Sequence, residues 1–175
     1  MKACARAAIC LAALWLAACS NNLDWREFQS SEGRFSIALP GRAAHDKRTL
    51  TTPAGTVIMN MDSVSVGEAL FGVGYADYPP DYVARANADA IVSSVRDALV
   101  KNIGGRNAIE SPVARGRYHG RSLRAEGRIG ERVLAMDALL LFAGGRFYQV
   151  VAIREPGRVR KEDVELYFNS FRITE

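Results

Sequence analysis

The chain has 175 residues, 49% of them apolar and 24% charged, which is the composition of an ordinary globular protein. A net charge of +4 is too small to indicate a nucleic-acid partner. A chain of this length buries a core large enough to fold without a disulfide or a structural metal. The composition therefore indicates one globular domain and gives no support to nucleic-acid binding.

The N-terminal segment has the organisation of a signal peptide. Lys2 and Arg6 form a short positively charged segment, and a run of apolar residues over 7–16 follows it. Ten residues rise about 15 Å as a helix, half the thickness of a bilayer core. The run is therefore an h-region and not a membrane span, and residues 1–18 are predicted to be the signal peptide.

The apolar run ends in Leu16-Ala17-Ala18-Cys19, which resembles the lipobox of bacterial lipoproteins. In that family a diacylglycerol is placed on the cysteine thiol and the chain is cut before it. The resemblance implies cleavage between Ala18 and Cys19, and acyl chains such as palmitate on Cys19. An ordinary secreted protein cut nearby and a cytosolic protein with an apolar N-terminus remain the alternatives.

Removal of residues 1–18 defines the mature chain. Cys4 and Cys10 are lost with the signal peptide, so Cys19 is the one mature cysteine and no disulfide is expected. The basic residues fall from 23 to 21 against 19 acidic ones, a net charge of +2. The mature chain therefore still gives no sign of a nucleic-acid partner.

Residues 19–24 form a short lipidated tether to the membrane. Residues 20–24 reach at most about 17 Å when fully extended, which keeps the domain close to the lipid headgroups. Ser20 follows the cysteine, whereas Asp at this position tends to retain Gram-negative lipoproteins in the inner membrane. The resemblance therefore favours the inner leaflet of the outer membrane, facing the periplasm.

After the tether, short strands separated by turns surround one long helix. Period-two alternation and turn residues predict strands at 25–28, 35–39, 47–52, 56–66, 70–78, 109–117, 123–130, 133–143 and 147–153. A helix is predicted over 81–103, where apolar side chains recur at helical spacing before a glycine pair. A turn is predicted at Tyr118-His119-Gly120.

The predicted fold class is α+β, a mostly antiparallel sheet sandwiched between helices. Strands 133–143 and 147–153 are apolar on both faces, so both faces of the sheet need cover. Helix 81–103 supplies one layer, and the C-terminal segment 159–168 could supply the other. Residues 25–175 are predicted to form this single domain.

Motifs spread over the mature chain resemble the PsbP-like, or DcrB-like, α/β/α lipoproteins. These are Trp25-x-x-Phe28, Glu32-Gly33-Arg34-Phe35-Ser36-Ile37, Pro40-Gly41, Thr52-Pro53-Ala54-Gly55, Tyr75-x-Asp77-Tyr78-Pro79 and Tyr167-Phe168-x-x-Phe171. They are turn and core residues, so they specify fold better than activity. The resemblance implies an accessory or assembly factor that is not an enzyme, and it transfers no site residue.

Sequence motifs for catalysis, cofactors and metals are missing. His45 and His119 are isolated in predicted turns and have no ligand spacing, so no metal is predicted. The mature chain has no free thiol, and no serine-elbow, P-loop or dinucleotide glycine motif occurs. We therefore predict no catalytic residue and no cofactor.

Two carboxylates keep an envelope hydrolase open as an alternative. Asp77 ends a strand and could form an acid/base pair with Asp81 or Glu126, or it could simply bond turn amides. Asp137 interrupts an apolar strand, where an unpaired carboxylate would be costly and functional. A partner arginine, Arg124 or Arg128, would give Asp137 a structural role instead.

Arginines dominate the second half of the chain. They lie within eighteen residues, with only two acids among them: Arg115, Arg117, Arg121, Arg124, Arg128 and Arg132. On one hairpin several would share a face, and Arg117, Arg121, Arg124 and Arg128 form a candidate patch for anionic lipid or an acidic envelope protein. The alternative is a solvated strand face.

The function predicted from sequence is a membrane-anchored envelope lipoprotein that binds or assists another envelope component without catalysis. The lipobox, the short tether and the missing catalytic set favour it. A hydrolase that uses Asp77 or Asp137 remains open, as does a periplasmic small-ligand binder with a cleft between sheet and helix.

Overall fold

The computed structural model describes residues 23–52, 55–85 and 88–174. The signal peptide, the lipobox and Cys19 lie outside the described residues. Strands account for 59% of the structure and helices for 20%. None of the described helices has both the length and the apolar character that crossing a bilayer requires.

A seven-stranded antiparallel sheet forms the centre of the domain. Its strand order is β3-β4-β5-β9-β8-β7-β6. The strands are β3 (Ala44–Thr52), β4 (Gly55–Val66), β5 (Ala69–Asp77), β6 (Gly105–Arg115), β7 (Tyr118–Ile129), β8 (Arg132–Ala143) and β9 (Arg146–Arg154). The central strands β5, β8 and β9 are almost continuously apolar, because layers lie on both sides of them.

Two helices, α1 (Pro80–Arg85) and α2 (Ala88–Asn102), lie on one face of the sheet. The buried side of α2 carries Ile91, Val92, Leu99 and Val100, which pack with Leu123 and other alternate residues of the outer strands. Gly104 follows α2 with φ +66, a conformation that suits glycine at a helix C-terminus.

A smaller three-stranded sheet and a third helix cover part of the other face. The small sheet has the order β1-β2-β10 and comprises β1 (Arg26–Ser30), β2 (Phe35–Leu39) and β10 (Arg172–Ile173). Helix α3 (Lys161–Ser170) lies beside it. Phe35 is fully buried and its ring contacts Tyr75, Tyr148 and Phe171. An aromatic core thus joins the small sheet to the main one.

The predicted fold class is wrong. The second face is not closed by a helix alone, because β1, β2 and β10 form a sheet of their own there. The structure is therefore mostly antiparallel β-sheet, in two sheets with three short helices, and not a helix-sandwiched α/β/α fold. Alternation in β2 revealed a strand, but it carried no information on which strand would pair with it.

Local predictions had mixed outcomes. The strand predicted at 35–39 is confirmed, with the same bounds. The single helix predicted over 81–103 is described as two elements, α1 and α2. The turn predicted at Tyr118-His119-Gly120 is wrong, because those residues open β7 and the chain turns at Gly116, with φ +58. That residues 25–175 are one domain stays a prediction.

Candidate binding face

The outer strands β6, β7 and β8 leave part of the main sheet uncovered on the α3 side. A cavity of about 220 Å³ opens there. It is lined by Ile109, Ser111, Val113, Arg115, Ser122, Leu123, Arg124, Asp137, Ala138, Leu139 and Phe168. We call this surface the open face and the cavity the open-face groove.

Strand register brings the residues of the open face together. Arg124 of β7 lies opposite Ile109 of β6 and opposite Asp137 of β8. Ser122 lies opposite Ser111 and Leu139 in the same way. Since alternate residues of a strand share a face, these side chains form rows that run across three strands.

Asp137 is held by two guanidinium groups. Its Oδ1 accepts a hydrogen bond from Arg124 Nε at 3.1 Å, and its Oδ2 lies 2.7 Å from Arg154 Nη2. The pairing with Arg124 is the structural alternative that the sequence left open. Because both carboxylate oxygens are engaged, the group positions two cations.

Asp77 is engaged by Arg146 of the neighbouring strand. Arg146 Nε and Nη2 each donate to the Asp77 carboxylate at 2.6 Å. The guanidinium also lies over the Tyr75 ring at 5.2 Å and donates to the Glu32 carbonyl. The hydrogen bonds from Arg146 lower the pKa of Asp77, so this carboxylate stays ionised and is a poor proton acceptor at neutral pH.

The two candidate carboxylates are too far apart to act together. Asp77 lies opposite Arg146 of β9, and Asp137 lies opposite Ala152 of the same strand. Six residues of strand separate these positions, or about 20 Å. The register also rules out the predicted pair of Asp77 with Glu126, because Glu126 lies opposite Ala135, which lies opposite Arg154, eight residues along β9 from Arg146 or about 26 Å away.

The arginine patch predicted from sequence is divided between two surfaces. Arg124 and Arg128 share the open side of β7, whereas Arg121 lies on the α2 side with Nη2 3.8 Å from Asp89. Arg117 is in the β6–β7 turn, with its guanidinium 5.2 Å from the Tyr118 ring centre. The division follows from strand alternation, which sends odd and even residues to opposite faces.

The histidines lie in strands and not in turns. His45 is on β3, and its Nδ1 is 2.7 Å from the buried Asp62. His119 is on β7, opposite Ala114 of β6. Across residues 23–52, 55–85 and 88–174, no group of three or more histidine, cysteine, aspartate or glutamate side chains is placed to hold a metal.

The sequence analysis named Arg115, Arg124 and Asp137 but did not identify the apolar residues that shape the open-face groove. Ile109 is 71% exposed although it is large and apolar, and Phe168 of α3 completes the wall. Arg115 contributes a buried Nε that has no hydrogen-bond partner among the described residues. The alternation of 109, 111, 113 and 115 along β6 was the available signal, and it becomes informative once the cover of each face is known.

The start of the described chain is fixed on the same side of the main sheet. The indole Nε1 of Trp25 donates to Asp163 of α3 at 3.3 Å, and its ring contacts Phe71 edge-on. Arg160 donates twice to the same carboxylate, at 2.8 and 3.0 Å. These hydrogen bonds, from Arg160 above all, lower the pKa of Asp163. The residue that follows the predicted tether is thus attached to the helix that borders the open-face groove.

Neither a protein-family model nor a curated protein matches the chain. Several solved structures are similar at a low level, and two of them are described here. One, from Bacteroides thetaiotaomicron, has a TM-score of 0.47 and 13% identity over 86% of this chain. The chain covers 48% of that protein, about half its length. The other, the Pseudomonas aeruginosa protein of unknown function PA94, has a TM-score of 0.39 and 10% identity over 77% of this chain and 85% of its own.

These similarities show neither a family nor a function. The resemblance to PsbP-like lipoproteins finds no counterpart among them and stays a prediction. The absence of catalysis also stays a prediction.

Proposed function

We propose that the chain is a lipid-anchored protein of the bacterial envelope, facing the periplasm from the inner leaflet of the outer membrane. In this proposal it acts as a non-catalytic binding or assembly factor. The observation that carries it is Leu16-Ala17-Ala18-Cys19 at the end of an apolar run. Two or more acyl chains on Cys19 would hold the protein firmly on its membrane.

The open face supports binding as the activity. On the α3 side β6 and β7 are left uncovered, and apolar, hydroxyl and charged side chains share that surface. Such a mixed surface, held near headgroups by a short tether, suits an acidic envelope protein or anionic lipid. Asp77 and Asp137 are both paired with arginine, so neither favours the hydrolase alternative.

Acyl labelling in a Gram-negative host tests the anchor. We expect the wild-type chain to incorporate labelled palmitate and to sediment with membranes, and Cys19→Ser to lose both properties. Cys10→Ser is the matched control, because the proposal places that thiol in the discarded signal peptide. Unchanged labelling and sedimentation of Cys19→Ser would reject the proposal.

The second half of the proposal is tested by charge reversal on the open face. Arg124→Glu combined with Arg128→Glu should reduce crosslinking to envelope partners or binding to anionic liposomes. Arg121→Glu on the opposite face of the same strand is the control. Equal binding by both variants would show that Arg124 and Arg128 do not contribute to binding. The proposal that Cys19 is lipidated would not be affected.

A further inference from the structure

The two ends of the open-face groove differ in how their arginines are paired. At one end Arg124 is paired with Asp137, which also binds Arg154. The other end holds Arg115, six residues along β6 from Ile109 and thus about 20 Å away along the strand. Of the two arginines that line the groove, Arg115 is the one for which the described residues supply no acidic partner.

Arg115 lacks an acceptor where proteins normally supply one. Its Nε is buried and has no hydrogen-bond partner among the described residues. A buried charged N–H without an acceptor is costly, and native structures satisfy nearly all such groups. An anion bound in the groove would give this guanidinium the charged partner that the described residues do not supply, and a guanidinium is well suited to a carboxylate or a phosphate.

The walls between the two ends suit an apolar chain. Val113 and Leu139 pack at the edge of the aromatic core, and Phe168 of α3 borders the groove. Ile109 stands 71% exposed at the far end. A volume of about 220 Å³ exceeds the roughly 150 Å³ cavity that admits benzene, so a short apolar segment fits.

In the proposed location the groove also lies near the membrane, which is the source of molecules that carry both an apolar chain and an anionic head. Trp25, next to the tether, bonds Asp163, and Phe168 is five residues further along α3, about 7.5 Å on the helix axis. This step rests on the proposed function, because it takes Cys19 to be lipidated. A domain held within about 17 Å of the headgroups meets membrane amphiphiles at high local concentration.

We propose that the open-face groove binds a single-chain amphiphile with an anionic head. The head, a carboxylate or a phosphate, pairs with the Arg115 guanidinium. The chain passes Val113 and Leu139 and emerges beside Ile109. Arg124, already paired with Asp137, contributes little to recognition of the head.

Photolabelling of the purified full chain in an uncharged detergent tests this site. The probe is a fatty carboxylate with a diazirine near its chain terminus, and mass spectrometry locates the adducts. We expect adducts in the peptides that contain Ile109 and Phe168. Arg115→Gln should reduce them about tenfold, the scale of one lost charged hydrogen bond. Ile109→Asn should reduce them roughly fivefold, because the apolar contact at the mouth is lost.

Matched variants and competitors complete the experiment. Arg121→Gln and Ile58→Asn place the same changes on the α2 side and on exposed β4, and should alter labelling less than about twofold. Unlabelled decanoate and decyl phosphate should compete, and the stronger of the two identifies the head. Decanol of the same chain length should compete weakly.

Three results would overturn the inference. They are adducts spread over the surface, decanol that competes as well as decanoate, and a folded Arg115→Gln variant that labels like wild type. If Arg115→Gln does not fold, Ile109→Asn and the competitor series decide. Since the probe is added to protein in detergent, failure here is distinct from failure of acylation at Cys19.

Discussion

The two faces of the main sheet differ in how far their cover extends. On the α2 side, helix and sheet bury Leu123 and Ala125 of β7 to 3% and 4% exposure. On the other side, α3 and the small sheet stop short of β7, and the Arg124 side chain is 74% exposed. Strand β7 thus has buried residues on one face and solvent-exposed residues on the other. The charged residues on the exposed face lie where α3 and the small sheet no longer cover the main sheet.

The comparison indicates where stability and binding reside. Residues under the small sheet are packed on all sides and should tolerate little change. Residues of the open face contact few neighbours, so their substitution should leave the fold intact and affect only what binds there.

Phe35→Ala should cause the largest loss of stability. The ring is fully buried and contacts four other aromatic rings. Removing it leaves a cavity, at a cost of about 3–5 kcal/mol in the free energy of unfolding. Urea unfolding followed by Trp25 fluorescence measures the change. A loss below about 1 kcal/mol would mean that the small sheet is not packed on the main one.

Tyr167→Phe should have the next largest effect. The hydroxyl is buried and donates to the Gly72 carbonyl at 2.8 Å, so its removal should cost about 1–3 kcal/mol. Burial raises the pKa of Tyr167 above its ordinary 10.0. Wild type should therefore lose stability as the pH rises past that value, because the unfolded chain ionises first.

Tyr167→Phe should lack the part of the stability loss at alkaline pH that ionisation of Tyr167 causes. Unfolding curves between neutral and alkaline pH measure the difference. Tyr118→Phe, at a half-exposed hydroxyl that accepts from Arg117, serves as control and should change little. Parallel pH profiles of the wild type and Tyr167→Phe would contradict the expected result.

Asp163→Asn should cause a smaller loss, about 1 kcal/mol at neutral pH, because the exposed Arg160 keeps water around the pair. The pKa of Asp163 is lowered from 3.8, so its contribution is present above that value and is lost as the pH falls through the lowered pKa. The gap between wild type and variant should therefore close in acid. Acid unfolding midpoints measure it, and a gap that widens in acid would refute the pairing.

Ile109→Asn should have the smallest effect on stability, within about 0.5 kcal/mol, because the side chain is 71% exposed. Thermal unfolding measures this. A loss above about 2 kcal/mol would show that the open face is covered within the folded domain, and the contrast between the two faces would disappear.

The alternation of apolar and polar residues predicted where strands lie in the sequence, but it did not predict which strands pair with each other. Residues 35–39 have alternating buried side chains, and the prediction matched β2. Nothing in that segment indicates that β1 and β10 pair with it, because such partners are distant in sequence. The layer on the second face was therefore assigned to a helix alone.

Ion-pair partners could likewise be predicted only where the two residues lie on strands that are adjacent in sequence. Arg124 was named as a partner of Asp137 and is one, because β7 and β8 are a hairpin of predictable register. Arg146 was not named for Asp77, since β5 and β9 pair across 69 residues of sequence. The predicted arginine patch is divided between two faces, and the sequence contained the reason, because Arg121 and Arg124 are an odd number of residues apart on one strand.

Photocrosslinking in intact cells tests most directly that the open face is the binding surface. A photoreactive residue at Ser111 lies on the open face, and one at Arg121 lies on the α2 side of the same hairpin. We expect discrete adducts with an envelope protein or lipid from position 111 and none from position 121. Adducts from position 121 alone, or equal adducts from both, would contradict the account.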